Sequence, residues 1–236
     1  MLSGKTAVVT GASRGIGAEI AAALAAEGVQ VILLARNEAK LNELSATLKG
    51  SIPIVCDVAK PESVEKAARR ILDDLKRVPD ILVNNAGIFG VSTVEKTATD
   101  FFIDTINTNL VGPFLLVRSF LAEMKKRKSG HIVTIGSIAD RMIFTGNGAY
   151  SAAKFGLRAM HEVLRAELHG TGVRTTLVSP AATDTEIWNT VSVTDPAGKP
   201  HSTRPMLDPD DVVRAVMYAL GQPDHVNIDE LRLSHS

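Results

Sequence analysis

Short apolar runs rich in β-branched residues alternate along this chain with segments whose apolar residues recur at helical spacing. Residues 6–10, 29–34, 52–56, 81–83, 131–135, 173–178 and 226–233 read as strands. Residues 15–27, 38–48, 62–75, 151–169 and 208–220 read as helices, the last with Pro209 near its start, and 100–126 as one long helix or two joined ones. Such alternation builds βαβ units and a mostly parallel sheet, which binds ligands outside the carboxyl ends of its strands. Functional groups are therefore expected in the loops that follow the strands.

The 236 residues fit one domain, 1–236, with enough apolar material for a substantial core. Aliphatic residues greatly outnumber aromatic ones, as a parallel sheet covered on both faces requires. Net charge is zero, so no broad basic field exists to hold nucleic acid or an anionic membrane. The basic run Lys125–Lys128 reads as a solvated helix end, where cations suit the dipole. The one cysteine, Cys56, reads as a buried strand residue without a disulfide or metal partner. The first ten residues lack a leader pattern, and no apolar run reaches the roughly 18 residues of a membrane span. A soluble, cytoplasmic protein is the expectation. Residues 188–205, rich in Thr, Ser, Pro and Gly, form an irregular stretch that reads as part of a substrate lid, with the substrate loop at about 186–208.

After the first strand comes Thr10-Gly11-Ala12-Ser13-Arg14-Gly15-Ile16-Gly17. Glycines at a strand-to-helix turn let the backbone approach a pyrophosphate, and the helix start offers free N–H groups. The spacing is Gly-x-x-x-Gly-x-Gly rather than the better-known Gly-x-Gly-x-x-Gly. The second strand ends in Ala35-Arg36, where an acidic residue would bond adenosine ribose hydroxyls. The acid is missing. Arg36 and Arg14 together suit the 2′-phosphate of NADP(H) instead. Asp57, followed by Val58, either accepts an adenine amino group or caps a loop. Asn84-Asn85-Ala86-Gly87, after the fourth strand, lines a cofactor, holds strands together, or does both.

Tyr150 and Lys154 lie four apart on one helix face, which puts a phenol beside an ammonium. A neighbouring cation stabilises a phenolate and makes tyrosine a usable acid/base. Ser137 follows the strand 131–135, where its hydroxyl can donate to a substrate oxygen. Asn109, a poor helix former inside a helical segment, either holds a local distortion and a proton-relay water or bonds a neighbouring loop.

Taken in order, Thr10–Gly17, Asp57, Asn84–Gly87, Asn109, Ser137, Tyr150 and Lys154 resemble the short-chain dehydrogenase/reductase family over essentially the whole chain. The resemblance implies a Rossmann-type, doubly wound α/β fold with seven strands and helices on both faces. It implies Tyr150 as general acid/base, Lys154 as its partner and a ligand of the nicotinamide ribose, Ser137 as the carbonyl-orienting hydroxyl and Asn109 as holder of the relay water. The cofactor contacts it implies are Gly11, Ser13, Arg14, Gly15, Ile16, Gly17, Arg36, Asp57, Val58, Asn84, Ala86, Gly87, Tyr150, Lys154, Pro180, Thr183 and Thr185. One departure is Ala181 in place of the usual glycine after Pro180, which suggests an altered loop backbone because alanine disfavours positive φ.

The implied activity is an NADP(H)-dependent oxidoreductase interconverting an alcohol and a carbonyl, with no metal. Ile88, Phe89, Ile138, Met142, Ile143 and Phe144, with Ile187 and Trp188 at the lid, suggest a largely apolar small-molecule substrate. Asp140 and Arg141 point outward or touch a polar substrate. The family resemblance also implies a homodimer or homotetramer through the helices that carry Asn109 and Tyr150. Two rivals share the fold: a non-catalytic NADP(H) sensor, and a nucleotide-independent lyase or dehalogenase. The joint presence of the glycine turn, two arginines and all four catalytic candidates argues against both.

Overall fold

The computed structural model describes residues 2–190 and 205–236. Residues 191–204, which make up most of the expected substrate loop, lie outside the described residues. Seven parallel strands form one sheet: β1 (Thr6–Thr10), β2 (Gln30–Ala35), β3 (Ile52–Val55), β4 (Ile81–Asn84), β5 (Gly130–Ile135), β6 (Val173–Pro180) and β7 (Glu230–Leu233). Their order is β3-β2-β1-β4-β5-β6-β7. The chain reverses direction across the sheet between β1 and β4, and the crevice above that switch point is where such sheets bind ligands. The doubly wound architecture expected from the alternation is what forms.

Consecutive strand residues are buried because helices cover both faces. Val8, Ile32 and Leu82 pack on one side beneath Leu116 and Phe120, while Val9, Leu33 and Val83 pack on the other beneath Ile20, Leu24 and Val216. The helices are α1 (Gly15–Ala26), α2 (Glu38–Thr47), α3 (Pro61–Arg69), α4 (Thr99–Ile106), α5 (Gly112–Arg127), α6 (Gly148–Leu168) and α7 (Pro209–Leu220). The basic run ends α5, with Lys128 as its left-handed cap at φ 53°.

The long helical stretch takes the two-helix form of its expectation, and the last strand is shorter than expected, each for an identifiable reason. The long helical stretch divides at a π-turn, Asn107–Val111. Pro113 lacks the N–H that would continue a regular ladder, and the Asn109 side chain is turned to a neighbouring loop. The last strand is shorter than the stretch 226–233, since only Glu230–Leu233 pairs with β6. Before it, Asn227 substitutes for a strand: its Oδ1 accepts from Thr175 N at 3.0 Å and its Nδ2 donates to Thr175 O at 3.0 Å.

Candidate active site

A cavity of about 920 Å³ opens over the carboxyl ends of the strands. One end is lined by Gly11, Ser13, Arg14, Gly15, Ile16 and Arg36, the other by Ser137, Tyr150 and Lys154. Asp57, Val58, Ala86, Gly87, Pro180, Thr183 and Thr185 line the walls between. Three of the expected site residues, Gly17, Asn84 and Asn109, are not on the lining.

The glycine turn is shaped by close approach. Gly11 takes φ +65°, and a Cβ there would lie 2.9 Å from Ala86 Cα. A Cβ on Gly17 would lie 2.4 Å from Gly11 O, so this glycine serves the packing of α1 against the turn rather than the cavity. Gly15, at φ +53°, faces Thr185, with 3.4 Å to a Cβ built upon it.

Asn84 requires a correction. It ends β4 with its amide buried, and its successor Asn85 is the residue that reaches the cavity. Successive strand residues point to opposite faces, so a shift of one position exchanges the two amides. Asn85 also ties strands, as its Nδ2 donates to Thr10 O at 2.9 Å. Thr10 Oγ1 in turn accepts from the N–H groups of Asn85 and Ala86, both at 2.9 Å. This hydroxyl fixes the β4 loop against the glycine turn, a role that a threonine within an apolar strand does not announce.

At the cation-rich end, Glu186 lies 3.1 Å from Lys40 and 3.6 Å from Arg14. Lys40, first of all, and then Arg14 hold the Glu186 carboxyl below its ordinary value. Lys40 is on the lining from the first turn of α2, where its N–H donates to the Asn37 cap. The sequence reading passed over both Lys40 and Glu186. Asp57 Oδ1 accepts from Ala59 N at 3.1 Å, so this carboxylate caps its loop as well as lining the wall. Cys56 is buried, and burial pushes its thiol up to about 11, away from nucleophilic chemistry.

At the other end Tyr150 and Lys154 stand on the first turns of α6, as their spacing predicts. Lys154 Nζ lies 5.6 Å from the centre of the Tyr150 ring and donates to Ile135 O at 2.9 Å. Ser137, whose Oγ accepts from Ala139 N at 3.1 Å, lies beside the Tyr150 phenol and opposes the upward shift of its pKa. The protonation differs from the simple expectation. Burial pushes the phenol up to about 12 against the smaller opposing effect of Ser137. Burial likewise brings the Lys154 ammonium down to about 8. Desolvation by burial is the largest influence on both groups, and at neutral pH the phenol holds its proton.

Asn109 is fully buried in the π-turn. Its Oδ1 accepts from Ile88 N and its Nδ2 donates to Ile88 O, each at 2.8 Å. The loop bond is one of the two roles expected for it, and the π-turn is the distortion expected with the other. The clamp presents Phe89, whose ring meets Tyr150 and Trp188 edge-on at 4.9 Å each. Trp188 Nε1 donates to Thr183 O at 2.9 Å, which ties the short turn Glu186–Thr190 back to the loop after β6. Ile88, Ile138, Ile143, Phe144 and Ile187 line the same end, whereas Met142 is half exposed and off the lining.

Ala181 does not take positive φ, in keeping with its side chain, and its N–H donates to Leu233 O at 2.8 Å, continuing the β6–β7 ladder. One expectation needs revision. Asp140 neither points outward nor lines the cavity. It is fully buried, where Ser179 and Arg141 bond it. Among the described residues no cluster of three His, Cys, Asp or Glu side chains is placed to hold a metal ion, and no helix is long and apolar enough to cross a membrane.

A family model for short chain dehydrogenase matches residues 5–195. The chain is 38% identical to the glycine betaine reductase of Emericella nidulans over 98% of its own length, though it spans only 18% of that much longer protein. It is 35% identical to an uncharacterised oxidoreductase of Staphylococcus saprophyticus, covering 98% of this chain and 97% of the relative. Among solved structures, the closed form of serine dehydrogenase complexed with NADP+ superposes with a TM-score of 0.89 at 32% identity, covering 96% of this chain and 93% of the other.

Proposed function

This chain is an oxidoreductase that belongs to the short-chain dehydrogenase/reductase family, and from that membership we propose that it interconverts an alcohol and a carbonyl using NADP(H), with Tyr150 as acid/base. The observation that carries the reading is the half-buried Tyr150 phenol beside Ser137 and Lys154, at one end of a cavity whose other end gathers Arg14, Arg36 and Lys40. A dinucleotide fits these residues. The glycine turn leaves room where side chains would intrude, and three cations face the end where a 2′-phosphate would lie. NADP+ bound to the serine dehydrogenase neighbour supports the same choice.

When bound, NADP(H) supplies or accepts the hydride. In the reducing direction Tyr150 Oη donates its proton to the carbonyl oxygen, and Ser137 donates a second hydrogen bond that orients it. In the oxidising direction the same two oxygens receive and steer the alcohol proton. Lys154 replenishes the phenol proton and holds the nicotinamide ribose, with Asn109 as the proposed holder of the relay water. The protonated phenol suits the donor role, and the preference for NADP(H) supports the reducing direction. The apolar lining formed by Ile88, Phe89, Ile143, Phe144 and Trp188 supports a small, largely apolar carbonyl compound. Exposed Phe102 and Ile103 on α4, Phe114 on α5, and Phe155 and Val163 on α6 support a homodimer or homotetramer through these helices.

Paired fluorescence titrations with NADPH and NADH test the cofactor, and NADPH-linked turnover of a carbonyl panel tests the chemistry. NADPH is expected to bind more tightly, and Tyr150→Phe to keep that binding while abolishing turnover. Near-normal turnover of Tyr150→Phe would remove Tyr150 from its role, and binding of neither nucleotide would favour the nucleotide-independent rival.

A further inference from the structure

Asn147 is a polar residue on the cavity lining that the chemistry above does not use. Its backbone is fixed from both sides. The N–H donates to Phe144 O at 3.1 Å, the carbonyl accepts from Ser151 N at 2.7 Å, and the residue pairs with Ser92 in an isolated parallel bridge. Gly146 makes the turn that delivers it, at φ +82°, where a Cβ would lie 2.7 Å from Val91 Cγ1. Asn147 is the N-cap of α6, a place where an asparagine side chain ordinarily accepts from an N–H of the first turn. This one does not. At φ −99° and ψ 24° its backbone lies outside the extended region from which a cap side chain reaches back to the helix. Among the described residues its amide makes no hydrogen bond, although the residue is only 9% exposed. Its amide atoms are not sealed in the interior, and the cavity is the open space that Asn147 lines. So enclosed a polar group is costly without a partner, which points to a ligand group that completes it.

We propose that Asn147 is a specificity-determining residue whose Nδ2 donates to a second oxygen function of the substrate, a carbonyl or carboxylate oxygen close to the carbonyl that is reduced. The proposal rests on the carbonyl-reductase reading of the site. An accepting oxygen is favoured because α6 starts here without a side-chain cap, so the positive end of its dipole adds to the amide donor. The flanking residues on the lining, Val91, Ile143 and Phe144, are apolar, and one polar group set among such neighbours fixes a ligand's orientation. Tyr150 follows three positions later on α6. Side chains at that spacing share a helix face, with Cβ atoms about 5–6 Å apart. An oxygen that meets Asn147 while the reacting carbonyl meets Tyr150 is therefore about one or two carbons removed from that carbonyl. The otherwise apolar substrate carries one polar handle, and Asn147 reads it.

Paired substrates test this. Methyl acetoacetate and 2-hexanone are methyl ketones of the same chain length that differ in the second oxygen function, and acetoacetate carries that function as a carboxylate. Initial rates with NADPH give kcat and KM for each. Asn147→Ala should lower the kcat/KM ratio of methyl acetoacetate or acetoacetate to 2-hexanone about three- to tenfold, chiefly through KM. The substrate whose ratio falls further identifies the oxygen as carbonyl or carboxylate. Asn147→Asp keeps the shape and suits a helix start but lacks the donor, so it should lower the methyl acetoacetate ratio as well. It carries the comparison if Asn147→Ala fails to fold. Ratios equal to those of the wild type for both oxo compounds would overturn the proposal, because a scaffold residue affects all three substrates alike. If no carbonyl compound turns over, the carbonyl-reductase reading fails. Saturation-transfer NMR of methyl acetoacetate and acetoacetate then decides on Asn147: a signal lost in the variant supports the subsite, and equal signals overturn it.

Discussion

Asn109 binds both polar ends of Ile88, accepting from its N–H and donating to its carbonyl, each at 2.8 Å. One side chain on the π-turn thus sets the path of the loop that follows β4, and through it the Phe89 ring that touches Tyr150. Asn109→Ala leaves two backbone groups without partners and is expected to cost about 1–3 kcal/mol in urea unfolding. It should also raise KM for apolar carbonyl substrates more than it alters NADPH binding, because the glycine turn is held separately by Thr10. Unchanged stability would mean that the Ile88 bonds are readily replaced by water.

Glu186 occupies the cations that the proposed 2′-phosphate needs. Glu186→Gln removes a competing carboxylate from Lys40 and Arg14. Both partners are partly exposed, so the gain is modest: NADPH should bind about two- to fivefold more tightly, with the difference shrinking as salt rises. Arg36→Asp should shift preference toward NADH. Fluorescence titration at low and high salt checks both, and weaker NADPH binding by Glu186→Gln would show that Glu186 orders the site instead of competing for it.

Two buried histidines predict acid sensitivity. Burial pushes His131 down to about 3 and His161 down to about 4. Below about pH 6.5 the unfolded chain takes up protons that the folded chain refuses, so stability is intact above that value and falls as pH falls through it. Each histidine contributes up to about 1.4 kcal/mol per pH unit within its window. Urea unfolding at pH 7 and pH 5 should therefore differ by about 2–4 kcal/mol. Equal stabilities would contradict neutral, buried imidazoles at these positions.

If the apolar residues exposed on α4, α5 and α6 meet a second copy, a charge among them should separate the copies. Phe114→Glu and Phe155→Glu replace rings that are 47% and 40% exposed, so neither should unfold the chain. Sedimentation velocity is expected to show the wild type as a dimer or tetramer and the variants as smaller species. A wild-type monomer would refute the proposed assembly outright.

The order of strands and helices was legible in the chain because buried parallel strands read as short continuous apolar runs and helices as apolar residues recurring every 3.6 positions, and because glycine and proline mark their ends. Tyr150 and Lys154 could be paired on the same grounds, being four apart on one helix. Three-dimensional packing decided the rest. Whether Asn84 or Asn85 reaches the cavity depends on the facing of the last residue of β4. Asp140, Ser179, Arg141 and Glu230 meet only because β5, β6 and β7 lie side by side, across 39 residues in one bond and 89 in another. The electrostatic setting of Tyr150 and Lys154 was decided the same way. Sequence spacing brings a cation to a phenol, but burial by the surrounding fold pushes the phenol up and the ammonium down.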